Sequence, residues 1–406
     1  MTPALLHWTE DGQARSAHWR SVRGAAPPAR VQLADDSLPA DTAYRLACEG
    51  TALLWRGDFH NARQLLQALA RRVDRPPHHK QRAKQRSRLA PGPAPGDPAA
   101  FHRHRQAQAQ RARVLGAVLI NLDADYGIGL RRAPDVRAAC TNAWGEPDPQ
   151  AGPSVVSLRE LQGIVGAHEW RLKGVAVPAL GERIHPHYGV FSPLRGEYVY
   201  LVDSAPLPPA CTAEGGVAVD VGTGSGVLAA LLARRGVAHV LATDLDPRAL
   251  ACAADNLARL GLAERVTLVQ ADLFPPAPSP KAPLIVCNPP WLPARPSAPI
   301  ERAVYDEDSR MLKGFVAGLA AHLAPGGEGW LILSDLAEHL GLRTRAELLA
   351  AFAAGGLCVV GRLDARPRHA KADDEGDALH LARAAEVTSL WRLAAAPPPE
   401  NPTDER

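Results

Sequence analysis

Between Val217 and Gly236 the chain reads VAVDVGTGSGVLAALLARRG: an apolar run, a loop with glycine at every second position, and a continuous apolar stretch. This is the pattern of a strand, a tight turn and a helix. The helix must cover the sheet it has just left, so the next strand lies parallel to the first. The sequence downstream repeats the unit. Strands are expected over 217–221, 239–243, 266–270, 284–287, 330–333 and 357–362, and helices over 226–235, 247–260, 308–323 and 344–353. That alternation predicts a doubly wound α/β sheet. A last apolar segment, Val387–Leu393, is expected to add an antiparallel strand.

The turn itself selects a ligand. Gly222, Gly224 and Gly226 let the backbone bend sharply and approach a bound molecule closely, with Thr223 between the first two. Asp220 stands at the carboxyl end of the strand, on the ligand edge of an open α/β sheet. The spacing is G-x-G-x-G rather than the G-x-G-x-x-G of a nicotinamide dinucleotide site. A carboxylate two residues before the first glycine repels a pyrophosphate and suits an amino group, so a ligand with a cationic amino-acid end fits better. The second strand ends at Asp244, followed by Leu245, and a carboxylate there can accept from both hydroxyls of a ribose. The third ends at Asp272-Leu273, where Asp272 can accept from an adenine amino group. Asp246 precedes Pro247 at a helix start and reads as an N-cap.

LIVCNPPW carries the chemistry. The buried-strand pattern of Leu284–Val286 puts Asn288 at a strand end. Pro289 and Pro290 stiffen the loop and remove two N–H donors. The Asn288 amide oxygen and the Pro289 carbonyl can then accept the two hydrogens of a planar –NH2 group. That pulls the nitrogen toward tetrahedral geometry and stabilises the positive charge that grows on it as it is alkylated. Trp291 offers a flat face for a planar substrate. The plainer alternative is a turn that ends a strand, with Trp291 packed in the core.

DVGTGSG, TDLDPRAL, ADLF and CNPPW, in that order, resemble the class I S-adenosylmethionine-dependent methyltransferases, and within them the small-domain branch with an Asn-Pro-Pro-aromatic motif. The resemblance covers about residues 180–340. It implies a Rossmann-like, seven-stranded α/β sheet and S-adenosyl-L-methionine as cofactor. The methionine end would lie near Asp220 and Gly222, the ribose on Asp244, and the adenine beside Asp272 and Leu273. The implied cofactor set is Asp220, Gly222, Thr223, Gly224, Gly226, Asp244, Leu245, Asp272, Leu273 and Asn288. The implied catalytic set is Asn288, Pro289, Pro290 and Trp291. Tyr188, Phe191 and Arg195 are candidates for a segment that closes over the cofactor.

In related enzymes the motif serves exocyclic amines of adenine or guanine and the side-chain amide of glutamine. The first expectation is a nucleic-acid base as methyl acceptor, RNA ahead of DNA. It rests on Trp291 as a stacking surface and on twelve Lys or Arg against two Asp between Arg71 and Arg113. The alternative is a protein glutamine N5-methyltransferase resembling the release-factor family. That family commonly has Tyr where this chain has Trp291, and Arg-Pro-x-Glu-Thr-Glu where it has Ser192-Pro-Leu-Arg-Gly-Glu197. A non-catalytic cofactor-binding scaffold is a third reading, against which the intact Asn288 argues; a small-molecule amine is another acceptor.

The rest of the chain is expected to hold a mainly helical N-terminal region over 1–73, a flexible basic Pro-rich insertion over 74–100, and a helical or mixed substrate-selecting region over 101–180. In that last region one helix is expected to run from Phe101 to about Leu122, and another around Leu158–Val165 before a strand pair. The methyltransferase domain is expected over 181–393 and a disordered tail over 394–406. A net charge of +3 gives no global basic field. Six cysteines with no CxxC pair, an N-terminus with Glu10 and Asp11 before any apolar run, and no long apolar stretch suggest the cytosol and no membrane partner. His185 and His187, spaced i,i+2, read as turn chemistry and not a metal site. The sequence leaves the oligomeric state open.

Overall fold

The computed structural model describes residues 4–75, 96–296, 299–367 and 377–397. The basic insertion therefore lies, from 76 to 95, outside the described residues, as does the tail from 398 on. The chain divides into two compact units, the first ending at Leu172 and the second running from Lys173 and including the short segment 96–98. No helix among the described residues is long and apolar enough to cross a membrane.

The first unit corrects the expectation of a mainly helical N-terminal region. Strands β1 (Leu5–Glu10) and β2 (Gln13–Arg20) form an antiparallel hairpin. Its turn is Asp11-Gly12, both with positive φ, the geometry that matches the twist of a two-residue hairpin. Then come β3 (Arg30–Ala34), helix α1 (Ala40–Cys48), β4 (Thr51–Trp55) and α2 (Phe59–Val73). The helix expected from Phe101 to Leu122 is two elements, α3 (Pro98–Leu115) and β5 (Val118–Leu122). The helix ends at Gly116, and Val118, Leu119 and Ile120 are all fully buried, as a central strand requires. After α4 (Arg137–Trp144), β6 (Ser154–Ser157) completes a sheet in the order β1-β2-β6-β5-β4-β3. Leu53, Trp55, Val118 and Ile120 pack there with Phe59, Leu65, Leu66 and Leu69 of α2. Helix α5 (Leu158–Lys173) follows β6 directly.

The second unit opens with the expected strand pair, β7 (Val175–Val177) and β8 (Glu182–Ile184), and with α6 (Glu197–Ser204). Its main sheet uses β9 (Val217–Val221), β10 (His239–Asp244), β11 (Val266–Gln270), β12 (Ala282–Cys287), β13 (Leu323–Ser334), β14 (Leu357–Ala365) and β15 (Thr388–Ala395). The order is β11-β10-β9-β12-β13-β15-β14, seven strands, with β15 antiparallel to both its neighbours. Helices α7 (Val227–Arg234), α8 (Pro247–Arg259), α9 (Arg310–His322) and α10 (Arg345–Ala354) connect the strands, and α11 (His380–Ala385) precedes β15. One core holds Leu228, Leu231, Leu232 and Leu257 with Leu284 and Val286. The other holds Leu312, Phe315 and Leu319 with Ile285 and Leu331. Alternate residues of β12 thus face the two layers, which is why its sequence is apolar throughout.

This strand order places the site. From β9 the chain steps outward to β10 and β11, then returns to the other side of β9 as β12. The loops leaving β9 and β12 therefore diverge, and a crevice opens beyond their carboxyl ends. Cys287 pairs with Val221, so Asn288 and Gly222 leave the sheet side by side.

Candidate active site

A cavity of about 550 Å³ lies at that edge of the second unit. Gly222, Thr223, Gly224, Asp244, Leu245, Asp272 and Leu273 are on its wall, as are Asn288, Pro289, Pro290 and Trp291. Asp220 and Gly226, also expected in the site, are not. Gly226 is the left-handed residue (φ 81°) that starts α7, where an added Cβ would lie 3.1 Å from the Cβ of Ala253 on α8. Its role is helix packing.

Asp220 is 1% exposed and faces inward. Its Oδ2 accepts from the Thr223 hydroxyl at 2.7 Å and from the Ala229 N–H at 3.0 Å, so it ties the glycine loop to the first turn of α7. Burial pushes its carboxyl up to about 6, against the opposing pull of those two bonds. A raised pKa means the folded state holds this proton more tightly than the unfolded chain. Its contribution to stability is complete below an unfolded pKa of about 4 and is lost as pH rises through about 6. Asp220→Asn is expected to flatten the fall in denaturant midpoint between about pH 4 and about pH 6.5. The same slope in variant and wild type would assign that titration to another group.

The loop amides are spent within the protein. Gly222 and Thr223 both donate to the Thr243 carbonyl, at 2.9 and 2.8 Å, and Gly224 donates to Asp244 Oδ2 at 3.0 Å. A turn whose N–H groups are so used, and which faces a carboxylate, cannot cradle a pyrophosphate. Gly222 (φ 74°) also runs against Met311, whose Cε lies 2.6 Å from where a Cβ would be. The other oxygen of Asp244 accepts from Asp246 N–H at 2.9 Å. Both its oxygens keep lone pairs for a diol. Burial raises its carboxyl above the ordinary carboxylate range. Leu245, 57% exposed, gives the same wall an apolar face.

Asp272 departs from its expected role. Arg310, at the start of α9, holds both its oxygens at 3.0 and 3.1 Å, and that bond keeps the carboxyl below its usual range. Leu273 beside it has φ 74°. Asp246 caps α8 as expected, accepting from Arg248 N–H at 3.0 Å. Asp306 accepts from Met311 and Leu312 at the start of α9, and Asp308 is a left-handed residue at φ 57°.

Asn288 Oδ1 accepts from the Trp291 indole N–H at 3.0 Å. The indole thus occupies one of the two lone pairs of that oxygen, and one remains for a substrate amine. Trp291 is not an open stacking platform either: the Arg195 guanidinium sits 4.8 Å from its ring centroid. Beyond it, Leu292 N–H donates to the Val304 carbonyl and its own carbonyl accepts from Asp306 N–H, so the segment at 304–306 braces the exit of the motif.

Residues 184–352 match the family described as methyltransferase small domain. This stretch is similar to that family. The release factor glutamine methyltransferase of Cereibacter sphaeroides is 35% identical over 186 residues, which are 43% of this chain and 63% of that protein. The ribosomal protein L11 methyltransferase of Geobacter metallireducens is 32% identical over 211 residues, 48% of this chain and 60% of that one. The ribosomal protein uL3 glutamine methyltransferase of Bordetella pertussis is 47% identical over 76 residues, 18% of this chain and 26% of that one. The chain therefore spans less than two thirds of the length of these relatives. A solved structure of the ribosomal protein L11 methylase from Lactobacillus delbrueckii subsp. bulgaricus aligns with a TM-score of 0.36 at 19% identity, covering 53% of this chain and 87% of that one.

Within this stretch, Phe191 and Arg195 line the cavity, and Tyr188 is absent from its wall. Sequence reasoning missed Arg310, Met311 and Tyr198, all on the wall. Arg310 is one Arg among forty, and only its position four residues after the capping Asp306 could have singled it out. His187 Nε2 meets Asp255 Oδ2 at 2.8 Å, a contact between a turn and α8.

Proposed function

We propose that this chain is an S-adenosylmethionine-dependent N-methyltransferase whose acceptor is the side-chain amide of a glutamine in a protein. The observation that carries the reading is one cavity bounded both by the strand-end carboxylate Asp244 and by the Asn288-Pro289-Pro290-Trp291 turn. The residues fit the cofactor: lone pairs on Asp244 for ribose hydroxyls, the Leu245 face for a ring, and a loop unsuited to pyrophosphate. When bound, S-adenosylmethionine supplies an electrophilic methyl group on a positively charged sulfur. The remaining lone pair of Asn288 Oδ1 and the Pro289 carbonyl accept the two hydrogens of the substrate amide. They weaken the delocalisation of its nitrogen lone pair and stabilise the charge that nitrogen acquires with the methyl group, until one of its two hydrogens leaves as a proton.

Glutamine stands ahead of a nucleic-acid base for two reasons. Trp291 has one ring face under Arg195 and its N–H on Asn288, so it is a poor platform for a flipped base. The relatives named above are methyltransferases of release factors and ribosomal proteins. The test is transfer of a radiolabelled methyl group into lysate from cells lacking the protein. Label is expected to resist nuclease, to be released by protease, and to appear as N5-methylglutamine on mass spectrometry. Label released by ribonuclease would overturn the acceptor assignment.

A further inference from the structure

We infer that Trp291 and Arg195 are positioning residues that act in series to hold the amide of Asn288 with its oxygen in working orientation. The inference rests on the reading of Asn288 as the acceptor clamp.

An asparagine amide turns through two nearly equivalent orientations about its last torsion. One presents oxygen and the other –NH2, and only the first can receive the hydrogens of a substrate amide. An indole N–H is a donor and nothing else. Placed 3.0 Å from Oδ1, the Trp291 N–H selects the oxygen orientation, since the flipped amide would set donor against donor. Oδ1 keeps a second lone pair for the substrate.

The indole must itself be fixed for this to work, and Arg195 fixes it. The guanidinium lies over the Trp291 ring at 4.8 Å from its centroid. Its Nε donates to Glu197 Oε1 at 2.6 Å and its Nη2 to Glu386 Oε1 at 2.9 Å. Glu386 is 1% exposed, and the same oxygen accepts from the Ser334 hydroxyl at 2.6 Å. Arg195 is thus tied to the first turn of α6 and to the first of the two residues between α11 and β15. Charge-assisted bonds of this kind are short and directional, and a planar cation stacks where an ammonium does not. The sequence Glu386–Arg195–Trp291–Asn288 runs from a buried carboxylate to the acceptor oxygen.

Trp291→Phe keeps the ring and the stacking and removes the N–H. It is expected to lower kcat about tenfold while leaving the substrate KM and the donor Kd unchanged. Arg195→Lys keeps the charge and loses the planar fork, and is expected to give a similar fall with the same split. The double variant is expected to fall no further than the lower single variant, because both act through one bond. A second readout needs no turnover. The indole resonance of Trp291, identified by its loss in Trp291→Phe, is expected to move in Asn288→Ala and in Arg195→Lys. Wild-type kcat in Trp291→Phe, with turnover lost in Asn288→Ala, would overturn the positioning role and leave the glutamine reading standing. Full turnover in Asn288→Ala would instead remove that reading. Additive losses in the double variant, a weaker donor Kd in Arg195→Lys, or an indole resonance indifferent to Asn288 would each break the series.

Discussion

Asn288→Ala is expected to bind S-adenosylmethionine with unchanged affinity and to lose turnover by about 10²–10³-fold, the effect of deleting one preorganised polar group aimed at developing charge. The asymmetry follows from where the side chain stands. Asn288 leaves β12 beside Gly222, and its oxygen is engaged by Trp291, not by the glycine loop or by Asp244. Removing it takes nothing from the carboxylate and apolar face assigned to the cofactor. It does remove an acceptor whose interaction strengthens only as the substrate nitrogen becomes tetrahedral and positive, so the loss falls on the transition state and not on ground-state binding. Calorimetry of donor binding beside single-turnover methyl transfer checks both halves. Turnover equal to wild type on the true substrate would remove the mechanism. A donor Kd that weakens in parallel would make Asn288 part of the cofactor site instead.

The second unit was legible because its signals are local and repeated. Each expected strand from 217 to 393 is present, with ends that differ by a few residues at most except in β13, which begins at Leu323 rather than 330. Apolar runs of strand length, several of them closed by an Asp, Asn or Gly, can be read without any knowledge of packing. The first unit failed for a different reason. Its helices α1 and α2 are strongly amphipathic, and that period was extended over segments that lack it. The hairpin at Asp11-Gly12 carried its own signal, an Asp-Gly pair flanked by Leu6 and Trp8 on one side and Ala17 and Trp19 on the other, at period two. Val118–Leu122 departs from the expected helix because a short buried apolar run is ambiguous between helix and strand, and Gly116 is the helix stop that separates the two.

Within the site, residue types were legible and partners were not. Asp220, Asp244 and Asp272 lie at or just past the carboxyl ends of three neighbouring strands, each two residues farther out in register than the last, and they are in three electrostatic states. Asp220 is sealed and its carboxyl raised to about 6 by burial, Asp244 is raised while still facing the cavity, and Asp272 is lowered by Arg310. The differences come from α7 and α9, which lie on either side of the sheet edge, and from a cation 38 residues away in sequence. No spacing rule carries that information.

Of the three, Asp244 is the one whose loss is expected to be felt directly by the cofactor. Asp244→Ala should weaken S-adenosylmethionine binding about 10–100-fold, because hydrogen bonds to a charged acceptor contribute about 1.5–3 kcal/mol and each 1.4 kcal/mol is about tenfold. A second effect accompanies it. The N–H groups of Gly224 and Asp246 lose their acceptor, so the unliganded protein should also lose about 1–3 kcal/mol of stability. The two effects separate in Asp244→Asn. That variant keeps the shape and one oxygen for Asp246 N–H, but turns an –NH2 toward Gly224 and abolishes the charge. If the carboxylate acts on the ribose, the Asn variant binds the donor nearly as weakly as the Ala variant while recovering part of the stability. If Asp244 serves only to brace the loop, donor affinity follows stability across both variants. A dissociation constant unchanged from wild type in either, measured by calorimetry well below the melting temperature, would put the ribose elsewhere on the wall.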